Sequence, residues 1–423
     1  MTALQLLALI LTALLIQLAA GIAVGLWRRR GIAVAVLSSD AGDASEATSP
    51  STAAWPGWRE FRVARREYED RAGTQCSFHL EPVDGAPLPP FLPGQFLTFS
   101  LQVADDATAQ PGATRPLTRT ITRCYSLSDR PDAKRYRVTI KRVPPPAGKA
   151  GIPPGLSSNH FHDHVAEGSL LKVKAPAGHF FIDADAGVPA VLIAGGIGIT
   201  PMMSMLRWCL DEQPGRTLHL FYGLRHGGEH AFKDLLEQLA RQHPQLHLHV
   251  VYSQPGEGDI EGRDYRHAGR VDVELLRRTL PHGRHQFYVC GPPAMMESLV
   301  PALAQWGVPR EDLHFETFGP ASVRLPGDDT GEAAVTTAEP LEVRFSRSAR
   351  TLVWDGQDAN LLDFAERHGV AVESGCRSGG CGSCETRLVS GTVRYASRPD
   401  HDVAAGRCLL CVGRPGSAVV LEA

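Results

Sequence analysis

Residues Ala3 to Trp27 form an almost unbroken apolar run, interrupted only by Gln5, Thr12, Gln17 and the small residues Gly21 and Gly25. Wound as a helix, such a run reaches roughly 35 Å, enough to cross a hydrocarbon core of about 30 Å. No basic residue precedes it and Arg28-Arg29-Arg30 lies directly behind it, whereas a cleavable signal peptide carries its positive charge at the other end. The pattern predicts a single-pass transmembrane anchor over 1–30. The positive-inside rule places the chain beyond Arg30 on the cytoplasmic side of the inner (cytoplasmic) membrane. A buried soluble helix is the blander reading of the same run.

After the anchor the pattern loosens. Ser38 to Ala54 is small, polar and acidic, the composition of a flexible linker, here given the bounds 31–57. From Trp58 to about Phe181 short β-rich segments succeed one another: Phe61–Ala64, Cys76–Glu81, Gln95–Leu101, Tyr125–Leu127, Tyr136–Val143 and Leu170–Lys174. Turn residues such as Pro93-Gly94 and Pro144-Pro145-Pro146 separate them, which predicts an antiparallel β-barrel over 58–185. At Ala190 the period changes. Strands Ala190–Ala194, Leu218–Gly223, His247–Tyr252 and Gln286–Cys290 alternate with helices Pro201–Leu210, Ala231–Arg241, Val273–Thr279 and Ala294–Trp306. That alternation predicts a Rossmann-like parallel α/β domain over 186–320. A second linker, 321–340, leads to 341–423, where strands Leu341–Phe345 and Arg387–Val389 with a helix at Leu361–Gly369 predict a compact β-grasp domain. The fold class is therefore multidomain, α+β and α/β, in agreement with about three domains for 423 residues.

A net charge of −3 argues against nucleic-acid binding. The nine cysteines are odd in number, and Cys76, Cys124, Cys209 and Cys290 are scattered, so a disulfide framework is not indicated and a reducing compartment is.

The remaining cysteines carry chemistry. Cys376-Arg-Ser-Gly-Gly-Cys381-Gly-Ser-Cys384 has the C-x₄-C-x₂-C spacing of a plant-type [2Fe–2S] ligand set, completed by one more distant cysteine. Thiolates suit an iron–sulfur cluster, and Gly379, Gly380 and Gly382 let a tight loop fold over it. A zinc site would prefer paired C-x₂-C knuckles. Cys408 and Cys411 are both candidates for the distant ligand.

Further motifs lie between the domains. Arg123-Cys124-Tyr125-Ser126 resembles the R-x-Y-S signature of ferredoxin-reductase flavoproteins, with Pro93-Gly94-Gln95-Phe96 before it and Gly155-Leu-Ser-Ser158 after it, the latter similar to the family's G-x-x-S element. Gly195-Gly196-Ile197-Gly198-Ile199-Thr200-Pro201 resembles its G-G-x-G-x-T-P turn between a strand and a helix, where a pyrophosphate meets helix N–H groups. Cys290-Gly291-Pro292-Pro293 resembles the C-G-P-P loop, and Glu316-Thr317-Phe318-Gly319-Pro320 the closing E-x-F-G-P segment. Cys411-Val-Gly-Arg-Pro looks like the closing C-V-x-x-P of ferredoxin domains, which selects Cys411 as the fourth ligand and leaves Cys408 as a neighbour.

The resemblance covers about 58–423 and is to reductases in the order flavin domain, nicotinamide domain, plant-type ferredoxin, as in the phthalate-dioxygenase-reductase and hybrid-cluster-protein-reductase types. It implies an NAD(P)H-dependent electron-transfer enzyme, with FAD as flavin and FMN as the alternative. Flavin would be held by Arg123, Cys124, Tyr125, Ser126, Lys141, Gly155 and Ser158. The nicotinamide dinucleotide would be held by Gly195, Gly196, Gly198, Thr200, Pro201, Gly291 and Pro292, with Phe318 over the pocket. Ser126, Cys290 and Glu316 are the implied catalytic residues around hydride transfer, and Cys376, Cys381, Cys384 and Cys411 the metal ligands. The electrons would pass to a partner redox protein, such as an oxygenase or haem protein, docked at a rim around Arg377 and Ser378. A membrane quinone reductase and a [2Fe–2S] redox sensor are the competing readings. NADH and NADPH are not distinguished, since Arg225 could meet a 2′-phosphate or be a surface arginine. His160, His162 and His164 read as part of the phosphate element rather than a metal tract, and His243, His247 and His249 as solvated surface.

Overall fold

The computed structural model describes residues 54–104, 118–145, 154–318, 323, 340–377, 379–395, 399, 401 and 403–423. The expected anchor, almost all of the first linker and most of the second lie outside these residues. Among the described residues, no helix is long and apolar enough to cross a membrane.

Six antiparallel strands come first: β1 (Arg59–Tyr68), β2 (Gln75–Pro82), β3 (Phe96–Ala104), β4 (Thr118–Ser126), β5 (Tyr136–Lys141) and β6 (Leu170–Ala177), in the order β4-β3-β6-β1-β2-β5. A bridge between Leu127 and Val138 joins the end of β4 to β5 and closes the sheet into a barrel. Helix α1 (Leu156–His164) sends Phe161 into the interior, where its ring meets Phe78 and Phe99 edge-on with centroids 5.2 and 5.3 Å apart. Strand β4 is much longer than the Tyr125–Leu127 segment expected from the sequence. Its first half, Thr-Arg-Thr-Ile-Thr-Arg, has little apolar signal, but threonines favour the pleat and the whole strand pairs along β3.

A parallel sheet comes next, with strands β7 (Ala190–Gly195), β8 (Leu218–Leu224), β9 (Leu246–Tyr252), β10 (His267–Ala268), β11 (Gln286–Gly291) and β12 (Leu313–Thr317). Helices α2 (Ile199–Glu212), α3 (Lys233–Gln242), α4 (Val273–Thr279) and α5 (Pro293–Trp306) alternate with them. The strand order β10-β9-β8-β7-β11-β12 reverses direction at β7, so the crevice outside the carboxyl end of that strand is the natural ligand site. Strand β7 is buried throughout because helices cover both faces of the sheet. The barrel is fastened to this domain by the loop around Glu229. Gln75 Nε2 donates to the Glu229 carbonyl at 2.8 Å, and the Arg137 guanidinium lies 5.0 Å over the Phe232 ring.

The last domain is a mixed sheet in the order β14-β13-β19-β15-β17, made from β13 (Leu341–Phe345), β14 (Arg350–Trp354), β15 (Glu385–Ser390), β17 (Arg407–Leu409) and β19 (Val419–Leu421), with β16 (Val393–Tyr395) and β18 (Gly413–Pro415) paired beside it. It folds over one helix, α6 (Leu361–Arg367), whose Phe364 packs on Trp354 and Phe345.

One expectation fails in the parallel sheet. His247 is exposed, but His249 is buried, and the ring of buried His219 stacks on both of them with centroids 4.7 and 5.8 Å away. The register pairs His219 with His247 and Phe221 with His249 across β8 and β9, and the His249 ring lies 4.4 Å from Phe221 and 6.0 Å from His267. Burial drives His219 down to about 4 and His249 to about 3, so the folded sheet holds both neutral. A histidine whose folded value lies below its unfolded one leaves stability intact above about pH 6.5 and costs stability as pH falls toward about 4. At pH 5 each could cost about 2 kcal/mol. Amide exchange in β8 and β9 should therefore accelerate by about an order of magnitude or more between pH 7 and pH 5, after correction for intrinsic rates. Unchanged protection would contradict the burial of neutral rings.

Candidate redox site

At the end of β7 the chain turns through Gly196–Gly198 into α2, and side-chain space has been removed from the turn. A Cβ on Gly198 would lie 2.1 Å from the Cys290 carbonyl oxygen, and one on Gly195 would lie 2.5 Å from Met295 Sδ. The two loops that border the crevice therefore touch backbone to backbone, leaving N–H groups at the start of α2 available to an anion. Thr200 Oγ1 donates to the Ile197 carbonyl at 3.0 Å and pins the turn, with Pro201 buried behind it. Cys290 is the penultimate residue of β11, in register with Ala194 and with Glu316 of β12. Complete burial raises its thiol well above the usual range, assisted by the Glu316 charge, so it is a neutral thiol. Gly291 and Pro292 lead into α5, and Phe318 lies half-buried against the core of this domain.

The flavin motif occupies the end of β4. Ser126 is buried opposite Phe96, and Tyr125 donates or accepts a 2.7 Å hydrogen bond with Ser157 Oγ on α1. Burial pushes the Tyr125 phenol up to about 12, so it is a neutral hydrogen-bonding group. Gly155 precedes α1, and Ser158 Oγ donates to its carbonyl at 3.3 Å. Arg123 donates to the Thr122 carbonyl at 2.7 Å, and burial lowers its pKa, as does the neighbouring Arg377. Lys141, at the end of β5, instead reaches out of the barrel to Glu229 at 3.2 Å.

The cysteine loop lies beyond the helix of the last domain. Its cysteines fall into two pairs by the backbone bonds they share, Cys376 with Cys381 and Cys384 with Cys411. Each iron of a four-thiolate [2Fe–2S] centre takes two protein sulfurs, so two pairs suit two irons. Among the described residues no three such side chains converge on one point, which a single-metal zinc site would need. Backbone amides already serve the sulfurs. Cys376 N–H donates to Cys381 Sγ at 3.2 Å, Gly380 N–H to Cys376 Sγ at 3.3 Å and Cys411 N–H to Cys384 Sγ at 3.5 Å. Such donors stabilise thiolates, so the residues present fit the cluster. Cys408 lies on β17 opposite Thr386 within the apolar core of the domain, and burial raises its thiol to about 12.

Residues 192–300 match the family model of the oxidoreductase NAD-binding domain, and residues 344–416 that of the 2Fe-2S iron-sulfur cluster binding domain. The solved structure of phthalate dioxygenase reductase, described as modular for electron transfer from pyridine nucleotides to [2Fe-2S], is 29% identical with a TM-score of 0.50, over 87% of this chain and 98% of that one. In order, this chain carries an oxidoreductase NAD-binding domain of the ferredoxin-reductase type and a C-terminal 2Fe-2S domain, the order of that solved reductase. Its cofactors are a flavin, NAD(P)H and a [2Fe–2S] cluster, and it is an oxidoreductase.

The front part of this reductase has other relatives. It is 38% identical over 288 residues to a flavohemoprotein of Chromobacterium violaceum, a match spanning 68% of this chain and 65% of that one. A flavohemoprotein of Bacillus cereus is 36% identical over 271 residues, 63% of each chain, so the reductase spans less than two thirds of the length of these curated relatives. The flavohem-like FAD/NAD binding domain of nitric oxide dioxygenase from Vibrio cholerae O1 biovar El Tor is 29% identical with a TM-score of 0.52, over 62% of this chain and all of that one.

Some parts of the reductase site are not legible in the sequence. Arg377, expected on an exposed docking rim, is 30% exposed and turned into ion pairs with Glu366 and Asp363. Ser378 lies outside the described residues. Ser157, not Ser158, meets the tyrosine of the flavin motif. His401 is an unexpected member: its backbone N–H donates to the Gly379 carbonyl at 3.0 Å, and its ring leaves no room for a Cβ at Gly382, where the gap is 2.5 Å. Glu385, adjacent in sequence to a ligand cysteine, is the available signal, since it holds His401 Nε2 at 3.2 Å.

Proposed function

We propose that this reductase takes a hydride from a reduced nicotinamide dinucleotide bound at Gly195–Pro201 and delivers its electrons singly, through flavin and cluster, to a partner redox protein. The observation that carries the reading is the presence in one chain of the Gly195–Gly198 turn packed backbone to backbone on the Cys290–Gly291 loop and of a cysteine loop whose backbone N–H groups already serve the sulfurs of Cys376, Cys381 and Cys384. When bound, the flavin accepts a two-electron hydride and the cluster moves electrons one at a time. The chain's own residues hold and orient. Arg123 and the α1 start around Gly155 and Ser158 offer cationic and backbone partners to flavin phosphates. Ser126 and neutral Cys290 flank the transfer, and Glu316 lies beside Cys290. Cys376 with Cys381 and Cys384 with Cys411 would each hold one iron.

FAD is the proposed flavin. The similarity to flavohemoproteins and to a domain named for FAD and NAD binding supports it. NADH is the proposed donor. Arg225, the cation beyond β8 that could meet a 2′-phosphate, is already ion-paired with Glu229, which Lys141 also contacts at 3.2 Å. Membrane tethering is proposed from the Ala3–Trp27 run and the three arginines behind it.

The test is made on the full chain. Acid release should yield FAD, kcat/KM should favour NADH over NADPH by at least about tenfold, about 1.4 kcal/mol, and the protein should sediment with membranes until detergent is added. Released FMN, an NADPH preference, or recovery in the soluble fraction would each remove the corresponding part of the proposal.

A further inference from the structure

Strands β8 and β11 flank β7 on opposite sides. A dinucleotide with its pyrophosphate on the Gly195–Gly198 turn and its nicotinamide by the loop after β11 must lay its adenosine half over the end of β8. Gly223 of β8 pairs with Gly195, so Arg225 follows two residues beyond the level of the pyrophosphate turn, on the adjacent strand. In such a sheet that is where a ribose 2′-hydroxyl is told from a 2′-phosphate.

The arginine there is already engaged. Arg225 is ion-paired with Glu229, and the same carboxylate takes Lys141, from β5 of the barrel, at 3.2 Å. The side chain of Glu229 is only 10% exposed, against 62% for Arg225, so the acid is the fixed member of the pair. Burial raises the Glu229 carboxyl, but Arg225 and Lys141 outweigh it and hold the group below its ordinary value, hence ionised. Its backbone is tied down from both domains. Glu229 N–H donates to the His226 carbonyl at 3.1 Å, Gln75 Nε2 to the Glu229 carbonyl at 2.8 Å, and Ala72 N–H to the Gly228 carbonyl at 3.0 Å. Gly227 N–H is held by Asp259 at 2.9 Å. The carboxylate therefore has no room to swing aside by moving its loop.

We propose that Glu229 is a specificity-determining residue that locks a 2′-phosphate out of the adenosine end of the crevice. It occupies one cation from each domain and sets a fixed negative charge where the phosphate would arrive. The proposal rests on the NADH reading above and names the residue that enforces it. A phosphate monoester carries about two negative charges near pH 7. To pair with Arg225 it must displace Glu229 or lie against a like charge, whereas a neutral 2′-hydroxyl meets neither cost. Discrimination by a built-in repulsive element is a general route to specificity. Two other roles for Glu229 make different forecasts. A mere fastener between barrel and sheet affects stability and leaves the coenzyme ratio alone. An acceptor for the ribose 2′-hydroxyl makes its loss slow NADH without helping NADPH.

The experiment measures flavin reduction in the full-chain holoprotein by NADH and by NADPH. In Glu229→Gln the ratio of kcat/KM for NADPH to that for NADH should rise about tenfold, less than a buried charge-assisted bond would give because Arg225 is largely exposed. Adding Arg225→Ala to that variant should cancel most of the gain, and Glu229→Asp, which keeps the charge, should stay near the wild-type ratio. In the wild type, adenosine 2′,5′-bisphosphate should inhibit no more tightly than 5′-AMP, and this comparison stands even if the glutamine variant does not fold. An unchanged ratio in Glu229→Gln at full flavin content, a slower NADH reaction with no gain for NADPH, a gain left whole by Arg225→Ala, or tight inhibition of the wild type by the bisphosphate would each overturn the inference. A wild type that itself prefers NADPH would instead overturn the NADH reading, so the two failures are distinguishable.

Discussion

Replacing Cys411 by serine should abolish the visible absorbance of the cluster, whereas replacing Cys408 by serine should leave it intact. The two residues are only three positions apart, but β17 and the turn after it send them to different places. The Cys411 backbone N–H donates to the Cys384 sulfur at 3.5 Å. Cys408 pairs with Thr386 on the sheet and belongs to the domain's apolar core with Leu409 and Leu410. A hard hydroxyl at a ligand position replaces a soft thiolate and leaves one iron with a poor donor. A serine at Cys408 buries a hydroxyl, which costs about 1–3 kcal/mol of domain stability but no ligand. The check is absorbance per mole of protein together with iron content after anaerobic reconstitution. A bleached Cys408→Ser beside an intact Cys411→Ser would reverse the assignment.

Gly198→Ala should lower kcat/KM for the nicotinamide donor by about 100-fold or more, about 3 kcal/mol of lost transition-state binding. The added methyl carbon has no room. It would lie 2.1 Å from the Cys290 carbonyl oxygen and 2.9 Å from the Gly291 nitrogen, and both are backbone atoms that cannot swing away. The Gly195–Gly198 turn or the Cys290–Pro293 loop must move, and between them they form the crevice at the end of β7. Displacement of about 1 Å in such a site is enough to cost about 100-fold. Rapid mixing with NADH, read at the flavin band, separates this from unfolding, because the barrel and its flavin lie in a different domain. Flavin reduction at the wild-type rate would show that the close packing of these loops is irrelevant to donor binding.

Much of this architecture could be read from the sequence because local patterns and global fold agree. The apolar run Ala190–Ala194 with glycines and an amphipathic stretch behind it can only be a buried strand entering a helix, and β7 and α2 are that. The C-x₄-C-x₂-C spacing needed no tertiary information. The failures share a cause, which is that the missing signal was tertiary. Strand β4 draws its order from pairing with β3 rather than from apolar alternation of its own. His249 reads as polar and exposed until its register with Phe221, and the His267 ring beyond it, are known. Arg377 has a φ of +58 in the tight cluster loop and is ion-paired with Asp363 and Glu366, partners that a linear reading does not supply.

Anaerobic stopped-flow mixing of the intact holoprotein with one equivalent of NADH tests the central claim most directly. The flavin band should bleach first and the cluster band second, with two electrons recovered in total and the second phase faster than steady reduction of a one-electron acceptor such as cytochrome c. A flavin that bleaches while the cluster remains oxidised, or a cluster that is reduced without prior flavin bleaching, would contradict it.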